Sequence, residues 1–326
     1  MMFMHSLPLL SVGLQQDVTL GTALGLAALG VFAGWLGAVV GIGGGVVIVP
    51  ALVLAFGFDT KVAVASSLVA VVATSVAAGN AYAGAGQLNM RLALTLEIAT
   101  TIGGLVGGLV AVLVDGSVLD GLFAVVMMVT AVLVFRGRDD HGQAVGAAPE
   151  PGGAGATSRV VAEGEAEAMI SSLGPRVGWE ERGQLGGAYH DQARGVLVVY
   201  RAVRLWIGWA VSFLAGLLSG LLGVGGGFLK VPAMNLGMKV PIKVAAATSN
   251  FMIGVTAVAS LFVYFARGYV LPFVAAPVAI GIAVGAYSGA RSSQRVSSRT
   301  LGRILAAVLV FVAVQMGLKA AGLASV

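Results

Sequence analysis

Apolar residues along the chain gather in eight long segments that are separated by short polar stretches. The segments span residues 18–56, 62–83, 92–114, 118–135, 203–236, 244–266, 270–290 and 301–322. Runs of about 18 or more apolar residues are long enough to cross the hydrocarbon core of a bilayer as helices. The pattern therefore predicts an all-α integral membrane protein.

The first and the fifth segments each contain a glycine cluster. Residues 41–50 read GIGGGVVIVP, and residues 223–232, which lie 182 positions later, read GVGGGFLKVP. Without any gap, residues 34–67 and 216–249 are identical at fifteen of 34 positions. Glycine and alanine match easily in an apolar chain, but glycines, a proline and a lysine in one register do not. The chain therefore contains two repeats, each with a broken helix.

The composition changes between the two repeats. We expect an N-terminal membrane repeat over 1–135, a cytoplasmic linker over 136–202 and a C-terminal membrane repeat over 203–326. Residues 146–155 are rich in Gly, Ala and Pro, which is typical of a flexible connection. Within the linker, the pattern predicts a short amphipathic helix over 160–173 and a β-hairpin whose strands, 189–191 and 196–200, flank a turn at 192–195.

Basic residues indicate which loops face the cytoplasm. Eight arginines lie between positions 136 and 204, and four more follow the seventh segment: Arg291, Arg295, Arg299 and Arg303. Two cytoplasmic loops require an even number of crossings between them, and this holds if 203–236 is a re-entrant hairpin rather than one span. The same interpretation of 18–56 makes the repeats inverted, with both termini outside. Parallel repeats are the alternative.

The glycine clusters are predicted to form a binding site. Unpaired backbone groups are tolerated at membrane depth only inside protein or beside a wet cavity. The half-helix after each cluster presents free N–H groups and a positive dipole end, which together attract anions. A tight helix crossing is the alternative explanation. The candidate residues are Gly43, Gly44, Gly45 and Val46 in the first repeat, and Gly225, Gly226, Gly227 and Phe228 in the second.

Polar residues near the breaks extend the candidate site. Hydroxyl and amide groups follow each break at matching positions, and we expect Ser66, Ser67, Thr248, Ser249 and Asn250 to complete the coordination of an anion. Lys230 lies inside the second half-helix, where a buried cation needs an acid, a cavity or a bound anion. Helix-to-helix hydrogen bonding by the hydroxyls and snorkelling by the lysine are the alternatives.

The remaining composition limits the chemistry. The chain is 58% hydrophobic and 10% charged, carries a net charge of +5 and has no cysteine, and its three histidines lie outside the apolar segments. We expect no enzyme, metal site, cofactor or nucleic-acid partner, because no HExxH, GxSxG or P-loop pattern is present. Glu97 is the only acid well within an apolar segment and is a candidate proton carrier that couples transport to the proton gradient; since Arg91 lies six residues earlier, a position near the cytoplasmic interface is the alternative. The expected partners are a small anion and membrane lipid.

The motifs at 41–50 and 223–232, together with Ala247-Thr248-Ser249-Asn250, resemble the TauE/SafE family of sulfite and sulfonate exporters. The resemblance covers nearly the whole chain, apart from a long central loop over 142–187. It implies a multi-pass transporter in the cell inner membrane that exports sulfite or an organosulfonate by alternating access and uses the proton gradient. Uptake of the same or another small anion, and transport of a cation, remain alternatives.

Overall fold

A computed structural model describes residues 19–40, 44–84, 88–144, 158–161, 185–191, 196–292 and 298–322. The first repeat forms α1 (Leu20–Val40), α2 (Gly45–Leu54), α3 (Thr60–Gly84), α4 (Met90–Leu113) and α5 (Gly116–Ala144). The second repeat forms α6 (Leu205–Leu222), α7 (Gly227–Pro232), a π-helical turn (Ala233–Gly237), α8 (Ile242–Ala266), α9 (Pro272–Ser292) and α10 (Ser298–Ala320). The helices confirm the predicted all-α membrane fold.

Length and composition make most of these helices suitable for the membrane. Within the described ranges, six helices are long and apolar enough to cross a bilayer, and shorter apolar stretches lie at Gly45–Leu54, Gly116–Val132 and Leu309–Ala320. Large apolar side chains such as Ile98, Phe262 and Phe265 are exposed on the surface of the protein. Exposed residues of this kind suit contact with lipid, because lipid tails are themselves apolar.

The helices of the two repeats pack against one another in matching pairs. Helix α1 of the first repeat packs on α9 of the second, and α6 of the second packs on α4 of the first. The pairs α3 with α8 and α5 with α10 join direct counterparts. The core therefore forms between the repeats rather than within each one.

The contacts also give the directions of the helices. A Cβ on Gly121 of α5 would lie 3.6 Å from Ala320 Cβ of α10, and one on Gly317 of α10 would lie 3.7 Å from Ala124 Cβ of α5. Positions rise along α5 as they fall along α10, so these counterpart helices are antiparallel. Parallel repeats would place counterparts in the same direction. The repeats are therefore inverted relative to each other, as the number of crossings predicts.

Small residues allow the inter-repeat pairs to approach closely. In α4, Gly103 and Gly107 face the backbone carbonyls of Phe213 and Leu217 in α6, where an added Cβ would collide. Gly30 and Gly34 of α1 make the equivalent approach to α9. Van der Waals packing at such small-residue stripes is a main source of helix association in lipid.

The described part of the linker contributes a three-stranded antiparallel sheet. Strands β2 (Gly186–Asp191) and β3 (Val196–Arg201) pair as the sequence predicts for a hairpin. The predicted helix over 160–173 is wrong at its start, because β1 (Ser158–Val161) pairs with β3. A long-range strand partner overrides the local helical pattern there. Residues 162–184 and the predicted turn at 192–195 lie outside the described residues.

Helix α5 continues beyond its predicted end. The apolar segment ends at residue 135, but the backbone remains helical to Ala144. A polar helix extension of this kind does not need apolar residues, so hydropathy gives no signal for it. The division of the chain at 135 and 202 stays a prediction.

Candidate functional site

The two glycine breaks lie against each other at the interface between the repeats. A Cβ on Gly45 would collide with the backbone carbonyl oxygen of Gly223. The Ser67 hydroxyl, in α3, donates a hydrogen bond of 2.8 Å to the same oxygen. The start of α2 and the end of α6 are therefore in direct contact, as the repeat pattern predicts for breaks that share one site.

The second break needs glycine for its backbone conformation. Gly223, Gly225 and Gly226 have φ angles of 70°, 83° and 69°, in the left-handed region that favours glycine. In the first break, by contrast, Gly44 has a right-handed φ of −69°. The structure does not describe residues 41–43, so the predicted role of Gly43 lies outside it. Matching sequences thus adopt different conformations at Gly44 and its counterpart Gly226.

A short buried helix begins directly after each break. In α2, the amides of Val47 and Ile48 donate to the Gly44 carbonyl, and in α7 the amides of Leu229 and Lys230 donate to the Gly226 carbonyl. The backbone N–H groups of the residues that precede these donors have no acceptor within the helix. Six predicted site residues form the N-caps and the first two helical positions, and all are buried: Gly44, Gly45, Val46, Gly226, Gly227 and Phe228.

The predicted hydroxyl residues divide into two groups. The Ser66 and Ser249 side-chain oxygens are buried and have no hydrogen-bond partner. Ser67 donates to Gly223, while Thr248 accepts a 3.3 Å bond from the Asn89 amide. Asn250 uses its backbone carbonyl to accept from Ser75, at 2.7 Å. Buried polar atoms are normally paired, so Ser66 and Ser249 remain available to a ligand.

The repeat could not identify Ser219 of α6 as a site residue, because the matching position in the first repeat is Gly37. Its hydroxyl oxygen is also fully buried and unpartnered, one turn before the break. Tyr264 of α8 donates a 2.9 Å bond to the Gly220 carbonyl and so satisfies one acceptor at the broken end of α6. Neither residue was expected at the site, and only the structure places them there.

Two charged residues meet in a buried polar cluster beside the second break. Lys230, which is 1% exposed, donates a 3.3 Å hydrogen bond to the Thr256 hydroxyl of α8. The Thr256 hydroxyl donates to Glu97 Oε1 of α4 at 2.8 Å, and the Thr101 hydroxyl donates to the same oxygen at 3.1 Å. Glu97 Oε2 is buried without a partner. Lys230 therefore faces an acid rather than lipid.

The Lys230–Thr256–Glu97 cluster is not duplicated by the repeat. The repeat counterpart of Lys230 is Ile48, and that of Glu97 is Ala279. Thr256 lies near the middle of the 25-residue helix α8, so the cluster lies near the middle of the bundle. The charged chemistry of the site is thus asymmetric, although its glycine breaks are duplicated.

The linker sheet packs over the helix ends nearest this cluster. Asn89, just before α4, donates a 2.9 Å bond from Nδ2 to the Tyr200 hydroxyl of β3. A cluster of buried apolar side chains joins β3 to the start of α4, the π-helical turn and α8. Its members include Val198, Tyr200, Leu92, Leu96, Met234, Met238, Val244 and Met252. Basic residues predict that these helix ends face the cytoplasm.

Two inverted repeats of membrane helices, each interrupted by glycines at a shared interface, form an architecture that secondary transporters use. Similarity to known proteins also indicates a transporter. The family model described as "Sulfite exporter TauE/SafE" matches residues 26–316, and the chain belongs to this family. The protein is thus a multi-pass membrane transporter of the cell membrane.

Curated relatives carry names of the same kind. The chain is 26% identical over 252 residues to the "Probable membrane transporter protein YunE" of Bacillus subtilis (strain 168), covering 75% of this chain and 79% of the relative. It is 26% identical over 213 residues to a "Probable membrane transporter protein" of Xylella fastidiosa (strain 9a5c), covering 65% and 62%. No solved structure gives a significant match to the chain.

Proposed function

We propose that the protein is a secondary transporter that exports a small sulfur oxyanion, sulfite or an organosulfonate, by alternating access. The observation that carries the proposal is the contact between the two breaks, where Gly45 meets the Gly223 carbonyl. This contact places the start of α2, whose first amides have no intrahelical acceptor, against the break that separates α6 from α7, at one interface between inverted repeats. The family description supports sulfite as the first substrate to test.

The buried polar groups around the breaks suit an oxyanion. Hydroxyl hydrogens of Ser66 and Ser249 are free to be donated to a ligand, because neither side chain has a partner. Lys230 supplies a positive charge three residues beyond Gly227, the first residue of α7. Amide, hydroxyl and ammonium groups are the donors that bind sulfonate and sulfite, since the charged oxygens of these anions accept hydrogen bonds.

A two-stage experiment tests this function. Thermal shifts of the purified protein with sulfite, sulfate, thiosulfate, sulfoacetate, taurine and chloride identify the bound anion, and flux of that anion into and out of liposomes measures transport. We expect sulfite or sulfoacetate to stabilise the protein and to be transported. Lys230→Ala should weaken anion binding. Gly226→Leu should abolish flux, because Gly226 has a positive φ and an added Cβ would lie 2.6 Å from the Ala215 carbonyl oxygen.

The controls separate a lost site from a misfolded protein. Gly116→Ala is matched to the glycine variant, since a Cβ at Gly116 meets no atom within 4 Å. It should retain both binding and flux. Normal flux in Gly226→Leu, or stabilisation by chloride alone and by no sulfur anion, would contradict the proposal.

A further inference from the structure

The hydroxyl of Thr256 has more partners than its single hydrogen can serve. It lies 2.8 Å from Glu97 Oε1 and 2.9 Å from the Met252 carbonyl, and both of these are acceptors. It also accepts from Lys230 Nζ at 3.3 Å. A hydroxyl carries one donor hydrogen, so only one of the two acceptors is satisfied at a time.

The state of Glu97 decides which acceptor receives this hydrogen. An ionised carboxylate only accepts, so Thr256 then donates to Glu97 while Lys230 donates to Thr256. This makes a directed chain from ammonium to carboxylate that holds Lys230 against the acid. A protonated carboxyl donates its own hydrogen, and Thr256 is then free to donate to Met252 instead.

We propose that Thr256 is a positioning residue that makes binding of a proton by Glu97 and binding of the anion by Lys230 mutually favourable. The inference rests on the proposed function and adds its regulation. When a proton binds the carboxylate, the ammonium of Lys230 loses its compensating charge. A buried cation without a partner is costly, so an anion that enters the site is then stabilised. Release of the proton restores the chain and expels the anion.

No other charged group within the surrounding helices reaches the cluster. In α4, α6, α7 and α8, the charged or titratable residues are Arg91, Glu97, Lys230, Lys243 and Tyr264. Arg91 and Lys243 are exposed near the helix starts, and the Tyr264 hydroxyl is bound to Gly220. Within these described helices, Glu97 and Lys230 alone carry buried charge.

The proposed coupling fixes how the two ions move. Because each favours the other on the protein, the proton and the anion cross together. Linkage is reciprocal, so the proton strengthens anion binding by the factor by which the anion strengthens proton binding. Export then proceeds when the outward gradient of the anion exceeds the inward gradient of the proton, and the opposite balance produces uptake.

The first test needs no substrate. Difference infrared spectroscopy of the full-length protein follows the carboxyl band of protonated Glu97 during a pH titration, with Glu97→Gln to assign the band. Lys230→Gln should shift the titration midpoint in the wild-type background and shift it much less in Thr256→Val. Thr256→Ser should restore the larger shift. Equal shifts in the wild-type and Thr256→Val backgrounds would overturn the proposal.

Thr101→Val is the matched control. It removes a second hydrogen bond to Glu97 Oε1, but the Thr101 side chain is bonded to the acid and not to Lys230. The Lys230→Gln shift should therefore persist in this background. Loss of the shift in Thr101→Val, to the same extent as in Thr256→Val, would also reject a specific role for Thr256. Thr256→Ala replaces the valine variant if the latter does not assemble.

The second test measures anion binding with methanesulfonate, whose sulfonate stays ionised throughout the titration. The wild-type protein should bind it about tenfold more tightly at the acidic end, in the range of ordinary coupling between sites. Glu97→Gln should bind tightly at every pH, and Thr256→Val should lose most of the pH dependence. A full wild-type pH dependence in Thr256→Val would overturn the proposal. If the wild-type protein binds no methanesulfonate over the whole pH range, the result counts against the proposed function. The infrared titration alone then decides whether Thr256 couples Glu97 to Lys230.

Discussion

The Ser67 hydroxyl donates a 2.8 Å hydrogen bond to the Gly223 carbonyl and so joins the first repeat to the break of the second. The repeat counterpart of Ser67 is Ser249, whose equally buried hydroxyl has no partner. Two equivalent side chains are therefore in different states. This difference parallels that between Gly44 and Gly226, which have φ angles of opposite sign.

Replacing these two serines should give different results. Ser67→Ala leaves the Gly223 carbonyl without its hydroxyl donor in a buried position, and we expect a loss of about 1–3 kcal/mol in the free energy of unfolding. Ser249→Ala breaks no hydrogen bond and should cost less than about 1 kcal/mol. Denaturant unfolding in detergent measures both variants. Equal losses would mean that the bond to Gly223 does not stabilise the break.

The sequence predicted the features that depend on local pattern or on repetition. The apolar segments, the start of α2 at Gly45, the break at 223–227 and the hairpin of β2 and β3 all follow from periodicity, repetition and composition. The predicted helix from residue 160 failed because β1 is fixed by its partner β3, and that pairing spans about 40 residues of sequence. Local propensity carries no information about such a partner.

The candidate site was predictable only in part, for a similar reason. Glu97 and Lys230 were identified separately, as buried charges in apolar segments. Their connection through Thr256 depends on α4 of one repeat packing beside α8 of the other, at a separation of 159 residues between Glu97 and Thr256. The internal repeat gives no indication that Glu97 and Lys230 form a pair, because Ile48 and Ala279 occupy the matching positions.

Gly45→Ala should disturb the contact between the two breaks. The added Cβ would meet the Gly223 carbonyl and would lie 2.9 Å from Ser67 Oγ, so the repeats must move apart. We expect a loss of about 1–3 kcal/mol in stability, as for other overpacked cores, together with reduced flux. Gly116→Ala, which meets no neighbouring atom within 4 Å, should leave melting temperature and flux unchanged. Unchanged values in Gly45→Ala would show that the contact is not needed.

The corner after each half-helix predicts a pair of opposite effects on stability. Gly57 and its counterpart Lys239 both have positive φ, at 67° and 59°. A non-glycine residue is strained in this conformation, so Lys239→Gly should raise the unfolding free energy by about 0.5–1 kcal/mol. Gly57→Ala should lower it by about 1 kcal/mol without any clash, since no atom lies within 4 Å of the added Cβ. Lys239→Ala keeps the strain and should show no gain.

The inverted relation predicts which side of the membrane each corner faces. Asp59 and Lys239 precede the counterpart helices α3 and α8, and both residues are exposed. The chain has no cysteine, so a single cysteine at either position is labelled without background. An impermeant maleimide applied to intact cells should label position 59 and leave position 239 unlabelled until the membrane is opened. Labelling of both positions from the same side would contradict the inverted relation of the repeats.

Asp120 and Lys319 predict how the last helices of the two repeats are held together. Lys319 Nζ of α10 lies 3.1 Å from Asp120 Oδ2 of α5, and the Thr60 hydroxyl donates a 2.6 Å bond to Asp120 Oδ1. The Asp120 side chain is 4% exposed and the Lys319 side chain is 28% exposed, so the lysine is partly accessible from outside the protein. The pair is therefore only partly protected from screening.

Removing one charge should cost more than removing both. Asp120→Asn leaves Lys319 without its partner but keeps an acceptor for Thr60, and we expect a loss of about 1–3 kcal/mol in unfolding free energy. Asp120→Asn combined with Lys319→Met should recover part of that loss, because the unpaired cation is also removed. Unfolding of the two single variants and the double variant completes a double-mutant cycle. Strict additivity of the single losses would show that the two charges do not stabilise each other, and α5 and α10 would then be held by apolar packing alone.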